Sequence, residues 1–173
     1  MAFFDTEVPL GHGQVMLAPK VEGRYLQELD VHRHERVLEV GTGSGYMAAL
    51  LSHKAREVVT VEIVPELAKT AIENLRRAAI TNVSVLQGDA SKGLPTPGPF
   101  DVIVLSGSVA SVPKQLLDEL KVGGRLIAIV GQEPVMRATL VTRVGDQEFR
   151  HVELFDTVAP RLVGFGEPSR FAF

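Results

Sequence analysis

The chain has no cysteine and no tryptophan, and aromatic residues make up only 6% of its 173 residues. Without cysteine there are no disulfides, no thiolate metal sites and no cysteine nucleophile, although the compartment stays open. Basic charge is thin as well. Lys and Arg number 18 against 21 Asp and Glu, the formal net charge is −3, and Arg76-Arg77 is the only adjacent basic pair. A nucleic-acid partner needs a basic face to neutralise phosphates, so that class is set aside. No apolar run approaches the ~20 residues that span a bilayer, so no membrane partner is expected. The start, Met1-Ala2-Phe3-Phe4-Asp5, has neither the basic region nor the apolar stretch of a signal peptide. The zinc-binding spacing H-E-x-x-H is missing, and His32, His34, His53 and His151 have no partner that spacing identifies. A soluble cytoplasmic protein without a bound metal is the expectation, its oligomeric state left open.

What is present is ordinary in bulk and specific in detail. Hydrophobic residues at 45% and charged residues at 23% describe a globular chain, and its length suits one domain over residues 1–173. No repeat, linker or low-complexity tract divides it. Pro19–Leu29 reads as an amphipathic helix, with Pro19 in its first turn and Val21, Tyr25, Leu26 and Leu29 at helical spacing. Arg36–Val40, Glu57–Glu62, Val83–Gln87, Phe100–Leu105 and Arg125–Val130 read as strands. Between them lie helical patterns at Gly45–Ser52, from Pro65 onward with Leu67, Ala68, Ala71, Ile72 and Leu75 on one face, and at Pro113–Leu120. Lys121-Val122-Gly123-Gly124 reads as the exit turn of that last helix. Ala138–Val144 and Phe149–Asp156, separated by Gly145-Asp146, read as an antiparallel hairpin. Alternating strands and helices imply a parallel sheet with right-handed crossovers. The expected fold is therefore α/β and Rossmann-like, a mostly parallel, doubly wound seven-stranded sheet closed by a C-terminal antiparallel hairpin.

In such sheets a ligand lies across the carboxyl ends of the strands, where strand order reverses. After the strand Arg36–Val40 come Gly41, Gly43 and Gly45, with Thr42 and Ser44 between them and Glu39 inside the strand. Glycine lets backbone approach a ligand, and the helix behind the turn offers free N–H groups. A dinucleotide fingerprint needs G-x-G-x-x-G, and its third glycine would fall on Tyr46. G-x-G-x-G after an acidic strand residue suits S-adenosylmethionine, which has no pyrophosphate to cradle. The alternative is a tight turn with no ligand. Glu62 ends the next strand about 20 residues on, where a carboxylate reaches ribose hydroxyls; otherwise it is a solvated strand-end acid. Asp89, in Gly88-Asp89-Ala90, either accepts from the adenine amino group or caps the following turn. Ser106-Gly107-Ser108 leaves room for the methionine end and the acceptor, or is a flexible loop. The candidate cofactor residues are Met16, Glu39, Gly41, Thr42, Gly43, Ser44, Gly45, Glu62, Ile63, Asp89, Ala90 and Ser106.

From Pro9 to Gly131 the chain resembles the protein-L-isoaspartate O-methyltransferases. The likeness rests on Pro9-Leu10-Gly11-His12-Gly13-Gln14, on Val37 through Tyr46, on Glu62-Ile63-Val64-Pro65-Glu66-Leu67 and on Leu120-Lys121-Val122-Gly123-Gly124-Arg125-Leu126. The resemblance implies methyl transfer from S-adenosylmethionine to the free carboxylate of an isoaspartyl residue in a damaged protein or peptide. The ester then collapses to a succinimide that reopens partly to aspartate. Two features depart from the pattern. The family's leading loop continues Gln-Thr-Ile-Ser-x-Pro, whereas Gln14-Val15-Met16-Leu17-Ala18-Pro19 carries Val15 and Leu17 in place of both hydroxyls, leaving the catalytic residues unassigned. The family also carries a further segment before this loop, so a truncated or shorter form is expected. The alternatives are a different methyl acceptor in an apolar pocket of Val15, Met16 and Leu17, and a protein that binds S-adenosylmethionine without turnover. A nicotinamide-dependent dehydrogenase stands behind both, because the third glycine is misplaced.

Overall fold

The computed structural model describes residues 6–167, and the reading of Met1–Asp5 falls outside them. A small hairpin comes first, β1 (Val8–Gly11) and β2 (Gln14–Met16), followed by helix α1 (Pro19–Leu29). The main sheet then builds from β3 (Arg36–Val40), β4 (Glu57–Glu62), β5 (Val83–Gln87), β6 (Phe100–Val109), β7 (Leu120–Gln132), β8 (Val135–Arg143) and β9 (Phe149–Asp156). Helices α2 (Tyr46–Ser52), α3 (Pro65–Arg77) and α4 (Lys114–Leu117) connect its first five strands.

The seven strands lie in the order β5-β4-β3-β6-β7-β8-β9. Pairing is parallel from β5 through β7, and β8 and β9 join antiparallel. The expected sheet and its antiparallel close are therefore present. From β3 the chain steps outward to β5, then returns to β3's other side with β6. That reversal between β3 and β6 opens a crevice at the strands' carboxyl ends.

Side-chain alternation divides the core between the two faces of the sheet. Val37, Val58, Val102, Val104, Ile127 and Ile129 pack with Tyr25 and Leu29 of α1 and with Met47, Ala48 and Leu51 of α2. Their sequence neighbours Leu38, Val59, Ile103, Leu105 and Leu126 face the other way, onto Leu116 and Leu117 of α4. A strand buried on both faces must be apolar at every position, which is why β3, β4 and β6 read as near-continuous hydrophobic runs.

Several local expectations are corrected. Ile72 is half exposed rather than part of the buried face of α3. At 100° per residue it falls about 40° outside the stripe of Leu67, Ala68, Ala71 and Leu75. The helix expected over Pro113–Leu120 is a single turn, because Leu120 already pairs with Phe100 as the start of β7. Lys121–Gly124 is therefore a bulge inside β7, where the register jumps from Phe100↔Leu120 to Val102↔Arg125. Ser106-Gly107-Ser108 is not a loop but a second irregularity, inside β6, between the pairs Val104↔Ile127 and Ser108↔Ile129. The expected strand Ala138–Val144 begins earlier and ends at Arg143. Gly45 is the N-cap of α2 rather than its first residue.

Candidate cofactor cleft

The crevice is built first from hydrogen bonds around the glycine turn. Gly41 continues the line of β3, its N–H bonded to the Val61 carbonyl at 2.9 Å. The turn then requires positive φ at Gly41, Gly43 and Gly45, at 92°, 54° and 84°. Glu62, at the end of β4, fixes its height. Its Oε2 accepts from the Gly43 N–H at 2.8 Å, while its Oε1 accepts from the Val64 N–H at 3.0 Å as α3 begins. A carboxylate offers about four acceptor positions, so Glu62 retains capacity for a ligand hydroxyl.

Glu39 lies fully buried beneath the turn. Ser106 Oγ donates to its Oε1 at 2.7 Å and Thr60 Oγ1 to its Oε2 at 2.7 Å. Since Thr60 spends its proton there, the 2.6 Å contact between Thr42 and Thr60 is donated by Thr42. Burial pushes the Glu39 carboxyl up to about 7; the two hydroxyl donors oppose that shift and the Glu62 charge adds to it.

Two connected lobes open above these groups. The first is open to solvent and is lined by Val61, Glu62, Ile63, Gly88, Ala90, Leu162 and Phe165, among others. The second is lined by Met16, Leu17, Glu22, Glu39, Thr42, Ser44 and Tyr46. Leu10, Val15, Gly41, Gly43 and Ser106 line both. Ten of the candidate residues named from sequence thus meet in one cleft. Gly45 and Asp89 line neither lobe. A Cβ on Gly45 would stand 3.3 Å from the Cβ of Ala71, so this glycine admits α3. Asp89 instead caps its own turn, Oδ1 accepting from the Ser91 N–H at 3.0 Å and from the Ser91 hydroxyl at 2.5 Å. Its carboxyl is lowered, chiefly by the Ser91 hydroxyl bond, with Lys92 3.1 Å away adding to the effect.

Two walls come from segments that sequence spacing could not bring here. Leu10 of the hairpin rests on the turn, so that a Cβ on Gly43 would stand 2.8 Å from its Cδ1. Leu162 wedges in from the other end of the chain. Cβ atoms on Gly41 and Gly107 would meet its side chain at 3.0 and 2.7 Å, and backbone bonds Ser108 N to Pro160 O (2.8 Å) and Leu162 N to Ser108 O (2.9 Å) hold it. Glu22 was missed as well. Its signal was an acid standing among the buried positions of α1, with Tyr25 and Leu29 one and two turns on.

The lining fits an adenosyl amino acid: a carboxylate beside the turn for ribose hydroxyls, an apolar first lobe for a flat ring, and carboxyls in the second lobe for a cationic end. Among the described residues no group of three or more His, Asp or Glu could hold a metal ion, and no helix is long and apolar enough to cross a membrane.

Comparison with known proteins agrees with this geometry. The sequence model of the family described as protein-L-isoaspartate(D-aspartate) O-methyltransferase (PCMT) matches residues 1–159. A protein-L-isoaspartate O-methyltransferase 1 of Geotalea uraniireducens is 38% identical over 165 residues, covering 95% of this chain and 75% of its own. A protein-L-isoaspartate O-methyltransferase of Myxococcus xanthus is 50% identical over 127 residues, covering 73% of this chain. The chain spans 60% of that relative's length. In fold it is similar to a Plasmodium falciparum structure described as a protein-L-isoaspartate O-methyltransferase in complex with S-adenosyl-L-homocysteine. The TM-score is 0.81 at 24% identity, covering 95% of this chain and 83% of that one.

Proposed function

The chain belongs to the protein-L-isoaspartate O-methyltransferase family, and from that premise we propose that it methylates the free carboxylate of L-isoaspartyl residues in damaged proteins, with S-adenosylmethionine as donor. The observation that carries the reading is the two-lobed cleft at the strand-order reversal, with the glycine turn, Glu39 and Glu62 at its floor. Glu62, Ile63 and Ala90 would hold the adenosine end, and Glu39, Ser44 and Met16 the amino-acid end.

The bound cofactor supplies a methyl group on a sulfonium, which leaves as a neutral thioether. The acceptor carboxylate is already ionised at neutral pH, so no general base is needed. What the chain must contribute is alignment and a dry site. Leu10, Val15, Met16 and Leu17 form an apolar wall over the turn, with Leu17 only 4% exposed. Their side chains exclude water from the transfer path. Val15 and Leu17 offer no hydroxyl to the acceptor, and the Ser106 proton is held by Glu39, so its polar contacts must come from backbone groups and from Ser44 at the same lobe.

Transfer of labelled methyl from S-adenosylmethionine to an isoaspartyl peptide, beside the same peptide with normal aspartate, tests the proposal. Selective labelling of the isoaspartyl form is expected. Binding of S-adenosylmethionine without labelling of either peptide would overturn the acceptor and favour a different one, which the apolar trio Val15, Met16 and Leu17 would suit.

A further inference from the structure

Glu22 sits in the second lobe in a state that buried carboxyls do not normally keep. It is 3% exposed, and its Oε2 has no hydrogen-bond partner. Buried polar atoms are nearly always paired, and an unpaired one in a native fold calls for an explanation such as a functional role, a water or a bound group. The neighbouring orphan, the Tyr25 hydroxyl, lines neither lobe and belongs to the core. Glu22 is different because it opens into the cleft.

The lobe's other contents say what that partner is. Glu39 and Glu22 both line it and repel each other, and the third titratable side chain there is Tyr46 of α2. No Lys, Arg or His is among the residues lining it. Both oxygens of Glu39 are already bound by hydroxyl donors, whereas Glu22 has an oxygen free. Burial above all, with the Glu39 charge second, raises the Glu22 carboxyl to about 8. Two confined carboxyls with no internal cation favour a cationic guest, and a hydrogen bond from an ammonium to a carboxylate is among the stronger polar contacts.

We propose that Glu22 receives the α-ammonium of S-adenosylmethionine, with Glu39 as the second carboxyl of the seat, and so selects for cofactors that carry an amino-acid end. The assignment rests on reading the cleft as the cofactor site. It makes Glu22 a specificity residue of α1, an element that the glycine turn and the strand ends do not include. The ammonium fills the hydrogen-bonding deficit at Oε2, and at neutral pH its arrival displaces the proton that Glu22 holds in the empty site.

The test is calorimetric titration of the full chain with two nucleosides. S-adenosylhomocysteine has the amino-acid end; 5′-methylthioadenosine has the same adenosine and sulfur without it. Glu22→Gln and Glu22→Leu are each expected to weaken S-adenosylhomocysteine roughly tenfold or more. Binding of 5′-methylthioadenosine should stay within about twofold, which also reports that the variants fold. Repeating the titration at pH 7 in buffers of different ionisation enthalpy should show Glu22→Gln releasing up to ~0.9 fewer protons than wild type, the protonated fraction of a group at about 8. Equal weakening of both nucleosides would overturn the proposal and reduce Glu22 to packing. Unchanged S-adenosylhomocysteine affinity with a raised KM for the peptide would also overturn it, placing Glu22 on the acceptor. Wild-type protein that binds neither nucleoside would remove the cofactor reading itself.

Discussion

Replacing Glu22 by Gln should stabilise the ligand-free protein, and by an amount that depends on pH in a defined direction. In the folded chain the Glu22 carboxyl stands at about 8, against an ordinary 4.5. Burial is the main cause. Below pH 4.5 both folded and unfolded chains hold the proton, and Glu22 contributes no pH dependence. As pH rises from 4.5 to 8 the unfolded chain releases it while the folded chain keeps it, so the folded state loses stability relative to the unfolded state. Above 8 the penalty is complete. At 1.36 kcal/mol for each pH unit, the interval corresponds to about 5 kcal/mol. Gln keeps the shape and cannot ionise. The difference in stability between Glu22→Gln and wild type should therefore be small at pH 4.5 and approach this figure by pH 8.5. For a chain of this size that is roughly 10–20 °C in Tm. Thermal and urea unfolding followed by circular dichroism between pH 4.5 and 8.5 would measure it. A difference that stays constant across that range would refute the argument, as would a variant less stable than wild type at pH 8.5.

Four further outcomes follow from the geometry. Glu62→Ala leaves the Gly43 and Val64 N–H groups without their acceptor; it should lower stability by about 2 kcal/mol and weaken S-adenosylhomocysteine at least tenfold, read by urea unfolding and calorimetry. Gly43→Val forces a β-branched residue to φ 54° and a Cβ against Leu10, so cofactor binding should fall by tenfold or more; Leu10→Ala in the same chain should relieve the contact but not the backbone strain. Leu162→Ala should cost about 2–3 kcal/mol in urea unfolding and loosen the cofactor, because the side chain fills the space between Gly41 and Gly107. Val15→Thr adds a hydroxyl at the junction of the two lobes and should raise kcat/KM for an isoaspartyl peptide several-fold in the labelling assay.

The central strands were legible because a sheet buried on both faces leaves little choice of residue, and β3 and β4 coincide with their apolar runs; the half-buried edge strand β5 was legible from its valines. The site was legible to the extent that it hangs on strand ends. Once Arg36–Val40 and Glu57–Glu62 are strands, topology brings Glu39, Gly43 and Glu62 together. What sequence could not supply was register. Gly123-Gly124 looks the same as a helix exit or a strand bulge, and only pairing of Leu120 with Phe100 decides for the bulge. The hairpin β1–β2 was hidden for a similar reason, since its short strands carry too few side chains to show alternation. Of the two roles open to Asp89, the structure shows the turn cap, its Oδ1 taken by Ser91 two residues on. Glu22 and Leu162 required knowing which helix face and which late segment abut the turn.

The hold of Leu10 and Leu162 on one glycine turn joins two segments far apart in sequence across the middle of the fold. The cofactor cleft therefore rests on long-range contacts, which cost more loop-closure entropy than local ones. The hairpin pairs as a sheet of its own and the Leu162 segment bridges the main sheet at Ser108, so the rims of the cleft are expected to open locally before the central strands do. Amide exchange should show that division directly. Slow protons are expected along β3, β4 and β6, and faster ones in the hairpin and around Leu162. Occupancy of the cleft should slow the second group alone.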